Sequence, residues 1–211
     1  IACISHKKTN WNEYKSVNIE LPIFLSDNFN GKILHPSSDG EFKGNINHDM
    51  FYYKCNLPTA TDDYGISKAY SSILLKTKSN VKQIRTSIIG PELKNKISLM
   101  EWFFNQTNNI NGYSNHYWNG ITTLEWSKQA YKLILNWDVI NDSVIQMGSN
   151  KISKYQLLCL INKIFDCNKT IVSINVESIN RCLYSDFNIK NIEEQLIELK
   201  SFYYENKFHS T

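Results

Sequence analysis

The sequence predicts an α/β protein: the C-terminal part of a doubly wound parallel sheet, followed by a smaller α+β region. Three observations carry this. Apolar strand-like runs at Ile1-Ala2-Cys3-Ile4, 32–38 and 81–89 alternate with segments of helical periodicity. After Gly90-Pro91 the strict alternation gives way to short helices, Asn-rich turns and brief strands. Hydrophobic residues make up 42% of the 211 and charged residues 20%, enough to bury a core and stay in solution. The expected division is residues 1–90 for the partial sheet domain and 91–211 for a second region interleaved with the remaining sheet elements.

Ile1–Ile4 reads as a buried strand. Asn10, with Glu13 three residues on, caps a helix over about 11–29. Its apolar stripe is expected at Leu21, Phe24, Leu25 and Phe29. Pro22 interrupts the helix and, at four-residue spacing, leaves the carbonyl of Asn18 without its helical donor. Gly31 ends the helix and residues 32–38 form the next strand. The polar, turn-rich segment from Gly40 to Asp62 is long for a structureless connection, which often marks a functional loop. The next helix carries Tyr64, with Ile66, Ala69, Tyr70, Ile73 and Leu74 as its expected buried positions, and a strand follows at 81–89.

Beyond Pro91, aromatic residues cluster: Trp102, Phe103, Phe104, Tyr113, Tyr117 and Trp118. They suit a second core and also the apolar wall of a ligand cap. Residues 122–137 read as an amphipathic helix, 152–165 as another capped near Ser153, 171–176 as a strand, and 192–204 as a helix with Glu193, Glu194 and Glu198 toward solvent.

The chemistry-bearing stretch is Asp63-Tyr64-Gly65-Ile66-Ser67-Lys68. Tyr64 and Lys68 are spaced i and i+4, so on a helix they share one face. An ammonium beside a phenol favours the phenolate and makes a tunable proton donor. Alone, this spacing is more often an ordinary helix pair. Its weight comes from Ser37-Ser38-Asp39 with Phe42 and Gly44 upstream, then Ile84–Glu92, Trp118-Asn119-Gly120-Ile121-Thr122-Thr123 and Asn180-Arg181-Cys182-Leu183 downstream.

With these motifs in this order, the chain resembles the later two-thirds of an extended short-chain dehydrogenase/reductase. It is most similar to dTDP-4-dehydrorhamnose reductases and related nucleotide-sugar 4-keto reductases. The resemblance implies a Rossmann-like fold and NADP- or NAD-dependent reduction of a 4-keto-6-deoxy nucleotide sugar. It implies Tyr64 as proton donor, Lys68 as the cation that tunes Tyr64 and holds the nicotinamide ribose, Ser38 as the hydroxyl on the substrate carbonyl, and Asn18 as the catalytic asparagine. It further implies Ser87 as a cofactor contact. Trp118, Asn119 and Thr123 are substrate candidates. Arg181 is a candidate for the diphosphate, since a guanidinium fork suits phosphate oxygens. Core packing is the competing role for Trp118, and a surface ion pair for Arg181. Arg85 is expected as a structural ion-pair partner. A homodimer is compatible with the sequence, which does not itself fix the oligomeric state. The sequence contains no G-x-G-x-x-G turn for a pyrophosphate. We therefore expect the 211 residues to be part of a longer chain; the competing reading is a non-catalytic binding or regulatory relative.

Other classes have little support. Net charge is +3 with no basic run, which argues against nucleic acid. No apolar stretch reaches membrane-spanning length. The five cysteines lack C-x-x-C spacing and the five histidines are dispersed, so neither a disulfide framework nor a metal site is expected. The expected compartment is the cytoplasm.

Overall fold

The computed structural model of the chain describes residues 10–92, 97–107 and 109–205. The strand expected at Ile1–Ile4 lies outside them. The Asn10 side chain caps the first helical stretch, accepting from the Glu13 N–H at 3.1 Å. The stretch has three parts: α1 (Trp11–Tyr14), a π-helical segment (Lys15–Glu20) and α2 (Leu21–Asn28). In the π segment the Leu21 N–H reaches the Ser16 carbonyl. The expectation for Asn18 and Pro22 rested on four-residue spacing, and here the chain is wound with five.

β1 (Ile33–Ser38) pairs in parallel with β2 (Val81–Thr86), with α3 (Asp63–Leu75) as the crossover between them. β7 (Val144–Gln146) returns from the second region to complete a parallel sheet of order β1-β2-β7. β3 (Ile88–Ile89) pairs with β6 (Ile121–Thr122), and β4 (Ile110–Tyr113) with β9 (Ile171–Ile174). β5 (His116–Trp118) lies between β10 (Ile179–Asn180) and β8 (Ile152–Ser153). The remaining helices are α4 (Leu99–Asn105), α5 (Thr123–Leu135), α6 (Lys154–Ile164) and α7 (Ile192–Glu205). Caps stop and start them as the sequence suggests. Thr122 caps α5, and Ser153 with Gln156 forms a capping box on α6.

Two expected faces are largely turned about, although Ala69 is buried as expected and Leu25 and Ile66 are half-buried. In the first helical stretch Tyr14, Asn18, Pro22 and Ser26 are buried, while Leu21, Phe24 and Phe29 are exposed. In α3 the buried face is Gly65, Ser67, Lys68, Ala69, Ser71, Ser72 and Leu75, while Tyr70, Ile73 and Leu74 are exposed. The cause lies in the sheet beneath α3, whose strands offer polar side chains. His35 Nε2 meets the Ser71 hydroxyl at 3.4 Å, Gln83 donates to the Ser72 carbonyl at 3.0 Å, and Arg85 donates to the Ser72 hydroxyl at 3.3 Å. A polar sheet face selects hydroxyls on the helix that covers it, because buried polar groups need partners.

The larger core lies around α4, α6 and α7 and includes Phe103, Trp118, Leu157, Ile161 and Leu196. A second joins β2 and β7 to α5 through Ile84, Ile145, Ala130 and Leu133. Trp102 and Tyr113, from the expected aromatic cluster, stay exposed. The long connection after β1 is not loose. Asn45 bridges Asn180 and Tyr52 bridges Leu183, so it is strapped onto the segment that follows β9.

Candidate active site

The site forms where β1 and β2 end and α3 begins. Ser37 and Ser38 close β1 opposite Arg85 and Thr86. A single 3₁₀ turn, Asp39–Glu41, follows, with the Ser38 hydroxyl accepting from the Gly40 N–H at 3.0 Å. α3 starts on an Asp62 cap, its carboxylate accepting from the Gly65 N–H at 2.9 Å. Gly65 then lies hard against the turn: a Cβ there would stand 2.3 Å from the Gly40 carbonyl oxygen. Likewise a Cβ on Gly40 would meet Tyr64 Cε1 at 3.0 Å and the Ser38 hydroxyl at 3.1 Å. The absence of two side chains therefore brings the Tyr64 ring and the Ser38 hydroxyl to the same spot.

Lys68, one turn further on, is buried, and its ammonium donates to the Pro36 carbonyl at 2.6 Å. Behind α3, the Asn18 side chain donates to the Ser67 hydroxyl at 3.0 Å, which donates to the Tyr64 carbonyl at 2.7 Å. Asn18 thus steadies the backbone that carries the tyrosine. Tyr14 packs edge-on to the Tyr64 ring at 6.2 Å between centroids. Burial raises the Tyr14 pKa, with Asp62 and Asp63 adding to it, which keeps this second phenol neutral.

Ser38, Asp39, Tyr64, Lys68, Ser87, Trp118, Thr123, Lys154 and Arg181 line a cleft of about 910 Å³. The structure therefore brings together most residues singled out in the sequence. Trp118 is nearly buried and donates to the Ser87 hydroxyl at 2.8 Å, so it is a fixed wall of the cleft and also part of the core. Thr123 sits over Gly90, where a Cβ would meet its hydroxyl at 2.2 Å. The Arg181 side chain lies over Gly44, which has φ +88°, and its Nε donates to the Lys43 carbonyl at 3.4 Å. Asn119 stands apart: its amide donates to the Leu183 carbonyl at 2.8 Å and accepts from the Leu183 N–H at 3.0 Å. Both halves of the amide serve the strap behind the cleft.

Two groups in the cleft went unrecognised in the sequence. Burial raises the Asp39 pKa, against the pull of Lys154 and Arg181. Burial lowers the Lys154 ammonium to about 8, with Asp39 opposing. Lys154 opens α6, and a cation in a helix first turn runs against the macrodipole. That misplacement was the available signal for it. Arg85 is the expected ion-pair partner. Its guanidinium meets the Glu41 carboxylate at 2.8 Å, both groups being buried, and the Ser37 hydroxyl also donates to Glu41. Among the described residues no cluster suits a metal ion.

The cleft lined by Tyr64, Lys68 and Ser87 has room for the nicotinamide end of a dinucleotide. The glycine-rich turn that would cradle a pyrophosphate does not occur in the 211 residues.

No protein-family model matches the sequence, and no curated protein does. Solved structures do match. A dTDP-4-dehydrorhamnose reductase from Clostridium acetobutylicum aligns with TM-score 0.76 at 15% identity, over 95% of this chain and 79% of that one. One from Bacillus anthracis, in complex with NADP, aligns with TM-score 0.67 at 15% identity, over 80% of this chain and 65% of that one. A dTDP-glucose 4,6-dehydratase from Streptomyces venezuelae, solved with NAD bound, aligns with TM-score 0.73 at 14% identity, over 98% and 72%. The chain thus spans between about two-thirds and four-fifths of these proteins, and its α/β architecture is their Rossmann-like fold.

Proposed function

We propose that this chain carries the reducing centre of an NAD(P)H-dependent 4-keto-6-deoxy nucleotide-sugar reductase of the dTDP-4-dehydrorhamnose reductase type. The observation that carries this reading is the meeting of Tyr64, Ser38 and the buried Lys68 on one wall of a cleft large enough for a nucleotide sugar. The matched structures include enzymes named for this chemistry. Bound nicotinamide would supply the hydride. Ser38 holds the substrate carbonyl oxygen, and Tyr64 donates the proton that the oxygen takes as the carbon is reduced. Lys68 keeps positive charge beside the phenol and favours its ionised form after transfer. Arg181 lines the same cleft, and its guanidinium fork suits the diphosphate. Trp118 and Thr123 wall the sugar.

The exposed apolar residues Leu21 and Phe24 of α2 and Tyr70, Ile73 and Leu74 of α3 favour a homodimer through these packed helices. The free thiols Cys55, Cys159, Cys167 and Cys182 fit a reducing, cytoplasmic setting. None of the described helices is long and apolar enough to cross a membrane.

The test is turnover of 4-keto nucleotide sugars with NADPH and NADH, after titrating the chain with each nicotinamide. Replacing Tyr64 by Phe should lower turnover by about a hundred- to ten-thousand-fold, the range typical of a positioned acid, with ligand binding kept. Near-normal turnover in that variant rejects the assignment. Binding of the nucleotide sugar without turnover in the wild type favours a non-catalytic relative.

A further inference from the structure

Asp39 and Lys154 come from distant elements, the turn after β1 and the first residue of α6, and both line the cleft. Each is the strongest opposite charge acting on the other. Yet among the described residues no hydrogen bond or ion pair joins them. The Lys154 ammonium has no hydrogen-bond acceptor there; its recorded contact is the Trp118 face, 5.1 Å from the ring centroid. Asp39 accepts from the Ser38 hydroxyl at 3.3 Å. A donor and an acceptor, both half-buried, thus line the same cleft without closing on each other.

We infer that Asp39 and Lys154 are a split acceptor–donor pair that takes a ring hydroxyl of the sugar, and that they help decide which sugar the cleft accepts. The inference rests on the nucleotide-sugar reading above. A hydroxyl fills the gap because it can donate to the carboxylate and accept from the ammonium at once. A phosphate in that gap would be repelled by the Asp39 carboxylate, which a neutral hydroxyl is not. The position on the sugar also follows. Asp39 is next to Ser38 and bonded to it, so a group reaching Asp39 lies close to the carbonyl oxygen that Ser38 holds. Burial raises the Asp39 pKa and brings that of Lys154 to about 8, as desolvation does to charges awaiting a partner. The Trp118 ring beneath Lys154, itself fixed by Ser87, holds the ammonium in place.

The test is calorimetric titration of the 211-residue chain with dTDP, UDP and GDP and with their hexose conjugates. In the wild type the hexose should tighten binding. In Lys154→Met and in Asp39→Asn that gain should fall by about tenfold, as when a built hydroxyl site loses a partner, with nucleoside diphosphate affinity kept within roughly twofold. The double variant should be no worse than either single one, and Lys154→Arg should recover part of the gain. Equal weakening of nucleotide and conjugate would make Lys154 a phosphate contact and overturn the inference. So would unchanged variants, or a wild type to which the hexose adds nothing. A wild type that binds no nucleoside diphosphate overturns the proposed function and this inference together. Circular dichroism of each variant separates lost binding from lost fold.

Discussion

Tyr64 owes its position to Gly40 and Gly65, which let the turn after β1 and the start of α3 touch. In Gly65→Ala the new methyl would meet backbone at 2.3 Å, and neither partner can swing away. Overpacking of this kind costs about 1–3 kcal/mol, so the urea midpoint should fall and turnover should fall with it. His35 gives a prediction in pH. Burial, helped by the nearby Lys68 charge, lowers its pKa from 6.5 to about 3. The unfolded chain therefore binds a proton that the folded chain refuses between those values, and stability must drop as pH falls through that window. The loss can reach about 1.4 kcal/mol per pH unit. Urea midpoints measured from pH 7 to 4 should decline, and decline less steeply in His35→Leu. That Tyr64 and Lys68 share one helix was legible in the sequence, because their four-residue spacing fixes it, whereas Ser38, 26 residues before Tyr64, came in only through the family resemblance. Asp39 and Lys154 were not legible, since only the tertiary fold places them in one cleft. Asn119 sat in a promising motif, yet its amide serves the Leu183 backbone.

Capping residues announced the helices well, because caps act within one turn of chain and need no tertiary context. Asn10 and Ser153 cap as expected, while Thr122, read as the first residue of its helix, is the cap of α5. The buried faces of α2 and α3 were misread because apolar residues were taken to point inward. The sheet under α3 presents His35, Gln83 and Arg85, and Ser71 and Ser72 answer them. Arg85 also ties β2 to the turn after β1 through Glu41. Glu41→Leu would leave the guanidinium buried without its carboxylate, an error that costs about 3–5 kcal/mol in comparable pairs. Thermal melts should show that loss, and adding Arg85→Met should recover part of it.

At the scale of the molecule, Leu21, Phe24, Tyr70, Ile73 and Leu74 of α2 and α3 depart from an inward-facing pattern. A Tyr70→Glu, Ile73→Glu double change places two charges among them. By light scattering it should shift a wild-type dimer to monomer; an unchanged mass would move the interface elsewhere. The sequence showed the alternation that builds β1, α3 and β2 and led us to expect further sheet elements beyond residue 91, but it did not single out Val144–Gln146, because a strand of three residues carries almost no periodic signal. The return of β7 to the sheet of β1 and β2 has a further effect. Among the described strand pairs only β5 with β8 is antiparallel. Ile33 waits for Val81, Gln83 for Val144 and Tyr52 for Leu183. With so few local pairings to seed it, the chain must close long loops before most strands find partners, and refolding should be slow for its size. On the ribosome the strap around the cleft cannot close until the segment around Leu183 has emerged, so the site is completed only after β1, β2 and β7 have all been made.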